Sequence, residues 1–228
     1  MKALAPRGPA PGQFADAEVL RTWYARLEAG GEVASHWLKG KEHPVQQALL
    51  AISGGSCAWC GSRLDLGNVQ VDHLLPVSKF PMLAYCWANL LPACQECNRR
   101  KADYCPPALP AGAYRDPVLG SEDPYVPSRV LPPLEERLVE PTIEDPTAHL
   151  TFKPESHGYV PKSRVGEVTR QRFFDEKTDA TRLEGLSRLV KLLIGLPTEA
   201  TLLANLKAVF GRDFYVDAYA AYWRSFLG

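Results

Sequence analysis

Two Cys-x-x-Cys pairs, Cys57/Cys60 and Cys94/Cys97, limit what this chain can fold into more than any other feature. A two-residue gap lets both sulfurs of a tight turn point at one ion. Two such turns supply four thiolates in a tetrahedron, which suits Zn²⁺. A redox dithiol or unrelated buried thiols are the competing readings, and two pairs at this spacing favour the metal. Gly61 follows the first pair, where a positive φ is often wanted. Only 33 residues separate Cys60 from Cys94, so the segment has little core of its own. Metal ligation would then supply much of its folding energy. Cys86 and Cys105 lack close partners in sequence and read as small buried or half-buried hydrophobes.

Between the knuckles, Leu64 to Val71 alternates apolar and polar residues around Gly67-Asn68, which predicts a short β-hairpin with a Gly/Asn turn. Asp72-His73 then falls where the second strand runs out. Gln95 to Asp103 is polar and free of proline, predicting a short helix out of the second knuckle, closed by Pro106-Pro107. A hairpin and a helix pinned by zinc make a ββα unit.

The motifs Cys57-x-x-Cys60, Asp72-His73-x-x-Pro76, Asn89-Leu90-x-x-x-Cys94 and Cys94-x-x-Cys97-Asn98-x-x-Lys101 resemble the HNH endonuclease family in its zinc-bearing form. The resemblance covers about a fifth of the chain, and Asn98 stands where the family often has His. It implies phosphodiester hydrolysis in DNA, with 5′-phosphate products. The residue types agree with that chemistry. His73, with an ordinary pKa near 6.5, can take a proton from water. Asp72 and Asn98 offer oxygen ligands suited to catalytic Mg²⁺ or Mn²⁺. By resemblance, Asn89 orients the His-bearing loop. Arg99, Arg100 and Lys101 are candidates for phosphate contacts. Each also has a plainer reading: Asp72-His73 as a surface or core pair, Asn98 as a helix N-cap, and Arg99 to Lys101 as a solvated face. Their joint spacing favours the functional one.

The charge balance is less helpful to a nucleic-acid enzyme. The chain carries 26 basic and 26 acidic residues. Within 57–101, Arg63, Lys79, Arg99, Arg100 and Lys101 face three acidic residues, and a four-thiolate zinc site adds negative charge. Affinity for DNA comes largely from phosphate neutralisation, so weak binding by the isolated chain and delivery by a partner are expected.

The rest reads as scaffold. Residues 1–13 form an irregular arm. Residues 14–104 hold two helices, Phe14 to Ala29 and Pro44 to Ser53, beside the nuclease unit at 57–101. Residues 105–147 hold ten of the 20 prolines and read as an ordered connection, with Tyr104, Tyr114, Tyr125, Val130, Leu131 and Leu134 spread through and beside it. Residues 148–228 begin with a hairpin, His149 to Phe152 against Gly158 to Val160. Helices follow at Gly166–Lys177, Ala180–Ile194, from an N-cap at Thr198 to Phe210, and Asp213–Leu227. The aromatic-rich last helix is a candidate docking face. The fold class is α+β: a ββα-metal unit with a structural zinc on four cysteines, inside a mainly helical domain. No run of 18 apolar residues exists, so no membrane span is expected. Metal-type thiol pairs and the lack of a signal-peptide pattern point to the cytoplasm.

A looser likeness joins the HNH core to Ile143-Glu144-Asp145-Pro146, His149-Leu150-Thr151-Phe152 and a helical tail. This layout resembles the HNH subunits of Septu-type and retron-associated antiphage defence systems, which implies an ABC/SMC-like ATPase partner. His149 and His157 then lie outside the metal site. Two alternatives stay open: RNA, for example transfer RNA, as the substrate of the same site, and a non-catalytic zinc module that only binds nucleic acid or protein.

Overall fold

The computed structural model describes residue 1 and residues 3–33, 44–110, 134–174 and 177–227. Tyr114, Tyr125, Val130 and Leu131 of the proline-rich connection lie outside them. Helices α1 (Ala17–Glu28) and α2 (Pro44–Ser53) precede strand β1 (Gln70–His73), strand β2 (Leu90–Ala93) and helix α3 (Gln95–Lys101). A second two-stranded sheet, β3 (Leu150–Lys153) with β4 (Gly158–Pro161), leads into α4 (Arg164–Phe173), α5 (Lys177–Leu193), α6 (Glu199–Phe210) and α7 (Asp213–Arg224).

Local chemistry places the ends of these elements. Asp16 caps α1 by accepting from the backbone N–H groups of Glu18 and Val19. Ser163 caps α4 through Gly166 N–H. Cys94 takes the same position on α3, its sulfur accepting from Cys97 N–H at 3.4 Å. Thr198 occupies the N-cap position of α6 without a side-chain hydrogen bond.

The strand pairing differs from the hairpin expected at Leu64 to Val71. The Gly67-Asn68 turn closes on itself instead. Asp65 Oδ1 accepts from Gly67 N–H at 2.8 Å, and Asn68 Oδ1 accepts from Asp65 N–H at 2.9 Å. These side-chain bonds compete with strand pairing. The antiparallel partner of β1 is β2, with Asp72 opposite Leu91 and His73 opposite Leu90. Asp72-His73 are the last two residues of β1, where the strand runs out.

One core runs from the knuckles to the C-terminal helices and includes Trp59, Leu91, Cys97, Val139, Phe173, Val190, Tyr215 and Tyr219. The irregular N-terminal arm contributes Met1 and Leu4 to it. Arg7 of the same arm reaches the fully buried Glu140 at 2.7 Å and Leu90 O at 2.8 Å. A second cluster packs α1 and α2 against the loop before β2, with Trp23 and Tyr85 ring centroids 4.8 Å apart. The α6–α7 junction docks on the first knuckle. Arg212 N–H donates to Gly61 O at 2.9 Å, and Gly211 approaches Arg63 so closely that a Cβ would lie 2.7 Å from its nitrogen. The last helix buries one face, Tyr215, Val216, Tyr219 and Ala220; Phe214, Tyr222 and Trp223 are half-buried, and Phe226, just past its end, is exposed.

Candidate metal centres and active site

The four sulfurs of Cys57, Cys60, Cys94 and Cys97 lie within 4.8 Å of one another, and none is in a disulfide. A tetrahedron with Zn–S bonds of ~2.3 Å separates its sulfurs by roughly 3.8 Å. The Cys60–Cys94 distance of 3.7 Å fits that geometry. Gly61 has φ +71°, as the tight first turn requires. Backbone N–H of Cys94 donates to Cys57 Sγ at 3.3 Å, and the Ser62 hydroxyl lies 3.1 Å from Cys60 Sγ. Burial raises the Cys57 thiol, whereas hydrogen bonding from neighbouring sulfurs lowers Cys60 and brings Cys94 down to about 7. The cluster thus holds ionisable sulfur that a bound dication would favour as thiolate.

Beside this cluster, β1 and α3 form one wall of a cleft of about 330 Å³, lined by Val71, Asp72, His73, Pro76, Val77, Ser78, Asn98, Lys101, Ala102 and Asp103. Asp72, His73 and Asn98 therefore come together as the sequence predicts. Alternation along β1 sends the first two to different partners. His73 Nε2 lies 3.0 Å from Ala84 O. A carbonyl only accepts, so Nε2 carries the proton and Nδ1 keeps its lone pair. Burial holds the imidazole down at about 4, and the Lys101 charge adds to this, against the pull of the Ala84 hydrogen bond. The ring is therefore a neutral base at pH 7.

Asn89 is fully buried and lies outside the cleft. Its Oδ1 accepts from Leu75 N–H at 2.8 Å, and its Nδ2 donates to Leu75 O at 3.0 Å and Leu83 O at 3.3 Å. These bonds tie the two ends of the loop after His73 and set the neighbouring Ala84 carbonyl that holds the imidazole. Asn98, half-buried on α3, makes no side-chain hydrogen bond among the described residues, so its amide oxygen is available to the cleft.

Asp72 is the surprise of the site. It is 2% exposed, with Lys101 Nζ 3.0 Å from Oδ1 and Trp59 Nε1 3.0 Å from Oδ2. Burial raises its carboxyl, and Lys101 and then Trp59 oppose the rise. Beyond these two contacts, each Asp72 oxygen keeps a further lone pair at the wall of the cleft. Lys101, expected on a phosphate, is 1% exposed and serves as this internal counter-ion. Arg100 is likewise drawn inward, donating to Glu96 and to Phe173 O. Only Arg99 of the three extends into solvent, paired with Glu96 at 2.8 Å. The buried Asp72 carboxylate and the Phe173 carbonyl draw in Lys101 and Arg100, cations that the sequence leaves on a surface, while Glu96 holds Arg99 and Arg100 from the solvent side. The residue missed altogether is Trp59, whose position inside a Cys-x-x-Cys turn gave no separate signal.

The Asp72–Lys101 pair carries a stability prediction. Lys101→Met leaves a buried carboxylate without its counter-charge and is expected to cost about 3–5 kcal/mol in urea unfolding. Asp72→Asn combined with Lys101→Met should recover most of that loss, because no uncompensated charge remains. Two additive losses would deny the pairing.

Comparison with known proteins agrees with this geometry. Residues 57–103 match the model of the HNH endonuclease family, and so form an HNH domain. The chain is 29% identical over 161 residues to Septu protein PtuB of Bacillus thuringiensis, covering 69% of this chain and 48% of that protein. It is 27% identical over 128 residues to Septu protein PtuB of Bacillus mycoides, covering 50% of this chain and 40% of the relative. Protein ea31 of Escherichia phage lambda is 34% identical over 65 residues, 27% of this chain and 21% of that protein. The matches thus span less than half the length of each relative. No solved structure matches. Among the described residues no helix is long and apolar enough to cross a membrane.

Proposed function

We propose that this chain, whose residues 57–103 are an HNH domain, is a metal-dependent endonuclease that hydrolyses phosphodiester bonds in DNA. The observation that supports it most is the convergence of His73, Asp72 and Asn98 on one cleft beside four clustered cysteines. His73 Nδ1 takes the proton from the attacking water while Nε2 stays on Ala84 O. Asn89 keeps that carbonyl in place. Asp72 and Asn98 supply the oxygen donors. A Mg²⁺ or Mn²⁺ ion held there would offset the charge developing on the leaving oxygen. Cys57, Cys60, Cys94 and Cys97 would hold a structural Zn²⁺, which would fix the start of α3. Asp72→Asn should lower plasmid cutting in Mg²⁺ or Mn²⁺ by about 10²-fold; wild-type rates in that variant would refute the assignment.

The lowered His73 pKa gives a pH prediction. An imidazole with an ordinary pKa near 6.5 would lose about tenfold in base form between pH 7.5 and 5.5. One held at about 4 remains neutral over that range, so cutting should change less than about twofold through this group. A tenfold fall tracking a pKa near 6.5 would contradict it.

The name of the PtuB relatives supports a place in antiphage defence, with an ABC/SMC-like ATPase as partner, in the cytoplasm. Local charge supports dependence on that partner. Lys101 is neutralised by Asp72, and Arg99 and Arg100 share the single carboxylate of Glu96, which leaves one net positive charge among the five groups. The isolated chain is expected to bind duplex DNA no tighter than ~10⁻⁵ M at physiological salt. Tight, steeply salt-dependent binding in a titration would overturn this.

A further inference from the structure

Trp59 sits between the two sulfur ligands of the first knuckle, and its side chain is fully buried. Its ring stacks on Phe173 of α4, with centroids 4.3 Å apart and planes inclined by 13°. A buried indole N–H needs an acceptor. The acceptor here is Oδ2 of Asp72, at 3.0 Å, thirteen residues away. Asp72 is thus gripped from two sides. Lys101 reaches Oδ1 on a flexible four-carbon stem. The indole is rigid, with two side-chain torsions fixed by the Phe173 stack and by the turn between Cys57 and Cys60. An ammonium neutralises the carboxylate from many directions; the indole N–H fixes which way it faces.

We infer that Trp59 is the positioning residue for the Asp72 carboxylate, and that through it the four-sulfur centre sets the aim of the oxygen donors at the cleft. This rests on the reading of Asp72 as an ion ligand given above. Core filling alone does not require tryptophan at this place, since phenylalanine would keep a stacked ring on Phe173. What only the indole supplies is a donor aimed at Oδ2. Without it, Asp72 can turn toward Lys101 and present the wrong lone pairs to the cleft.

Trp59→Phe in the zinc-loaded 228-residue chain tests this. Zinc content should be unchanged, and Mn²⁺ affinity measured by electron paramagnetic resonance should fall about 10- to 100-fold, as when the partner that orients a ligand is removed. The Mn²⁺ concentration that half-saturates plasmid cutting should rise in parallel, with less change in the saturated rate. Retained zinc with unchanged Mn²⁺ affinity overturns the inference. Asp72→Asn is the parallel arm. If it weakens Mn²⁺ binding and Trp59→Phe does not, only the role of Trp59 fails; if it does not, the reading of Asp72 fails. Should Trp59→Phe lose zinc, the assigned Trp59 Nε1–H resonance of the wild type is followed in a Mg²⁺ titration. A shift that Asp72→Asn abolishes supports the coupling, and a resonance that ignores Mg²⁺ overturns it.

Discussion

Replacing His73 with alanine is expected to lower plasmid cutting by about 10²- to 10⁴-fold, the usual contribution of a positioned general base. Fold and zinc should survive. The imidazole is half-buried at the cleft, and its hydrogen bond runs to Ala84 O. Water entering the cleft can satisfy that carbonyl after truncation, so the stability cost should be near ~1 kcal/mol. Nicking rates read beside circular dichroism and zinc content separate the two effects. A folded His73→Ala protein that cuts at wild-type rate would remove the base from the mechanism.

Cys94→Ala should act in the opposite order, on the fold first and on cutting as a consequence. Cys94 has three roles: a ligand sulfur, the N-cap of α3 through Cys97 N–H, and a backbone donor to Cys57 Sγ. Structural zinc contributes on the order of 10 kcal/mol in small zinc-dependent units, comparable to the whole stability of a typical domain. Its loss should melt the 57–101 segment. The C-terminal helices share its core, so they should loosen without vanishing. Expected readouts are zinc lost on dialysis, a lower melting temperature and partial loss of helical signal. A Cys94→Ala chain with full zinc and wild-type melting would exclude a four-thiolate site.

What could be read from the sequence follows a physical division. The clustering of Cys57, Cys60, Cys94 and Cys97 was legible because four-sulfur chemistry demands that residue type at that spacing; Asp72, His73, Asn89 and Asn98 were singled out by their resemblance to the HNH family's motifs. Helices α1, α2 and α5 to α7 were legible from periodic apolar residues, to within a few residues at their ends. The β1–β2 pairing was not. Its partners are separated by a long loop, while a nearer Gly-Asn turn offered a false hairpin that Asp65 and Asn68 satisfy on their own. The inward turn of Lys101 was hidden for another reason. Burial depends on what packs above a residue, and here that is Asp72 together with the core around Phe173. A basic run in the last turn of a helix looks solvated until a buried carboxylate is placed beside it.

Helix α3 packs a sulfur ligand cap, an amide donor and an ammonium into Cys94–Lys101, with Cys97, Asn98 and Lys101 each facing a different neighbour. Each added residue would rotate everything downstream by about 100°. An insertion after Cys97 would leave the four-sulfur cluster in place and swing Asn98 and Lys101 off the cleft together. Natural variation in this lineage should accumulate as indels elsewhere, with α3 acting as a fixed ruler between the sulfur cluster and the cleft.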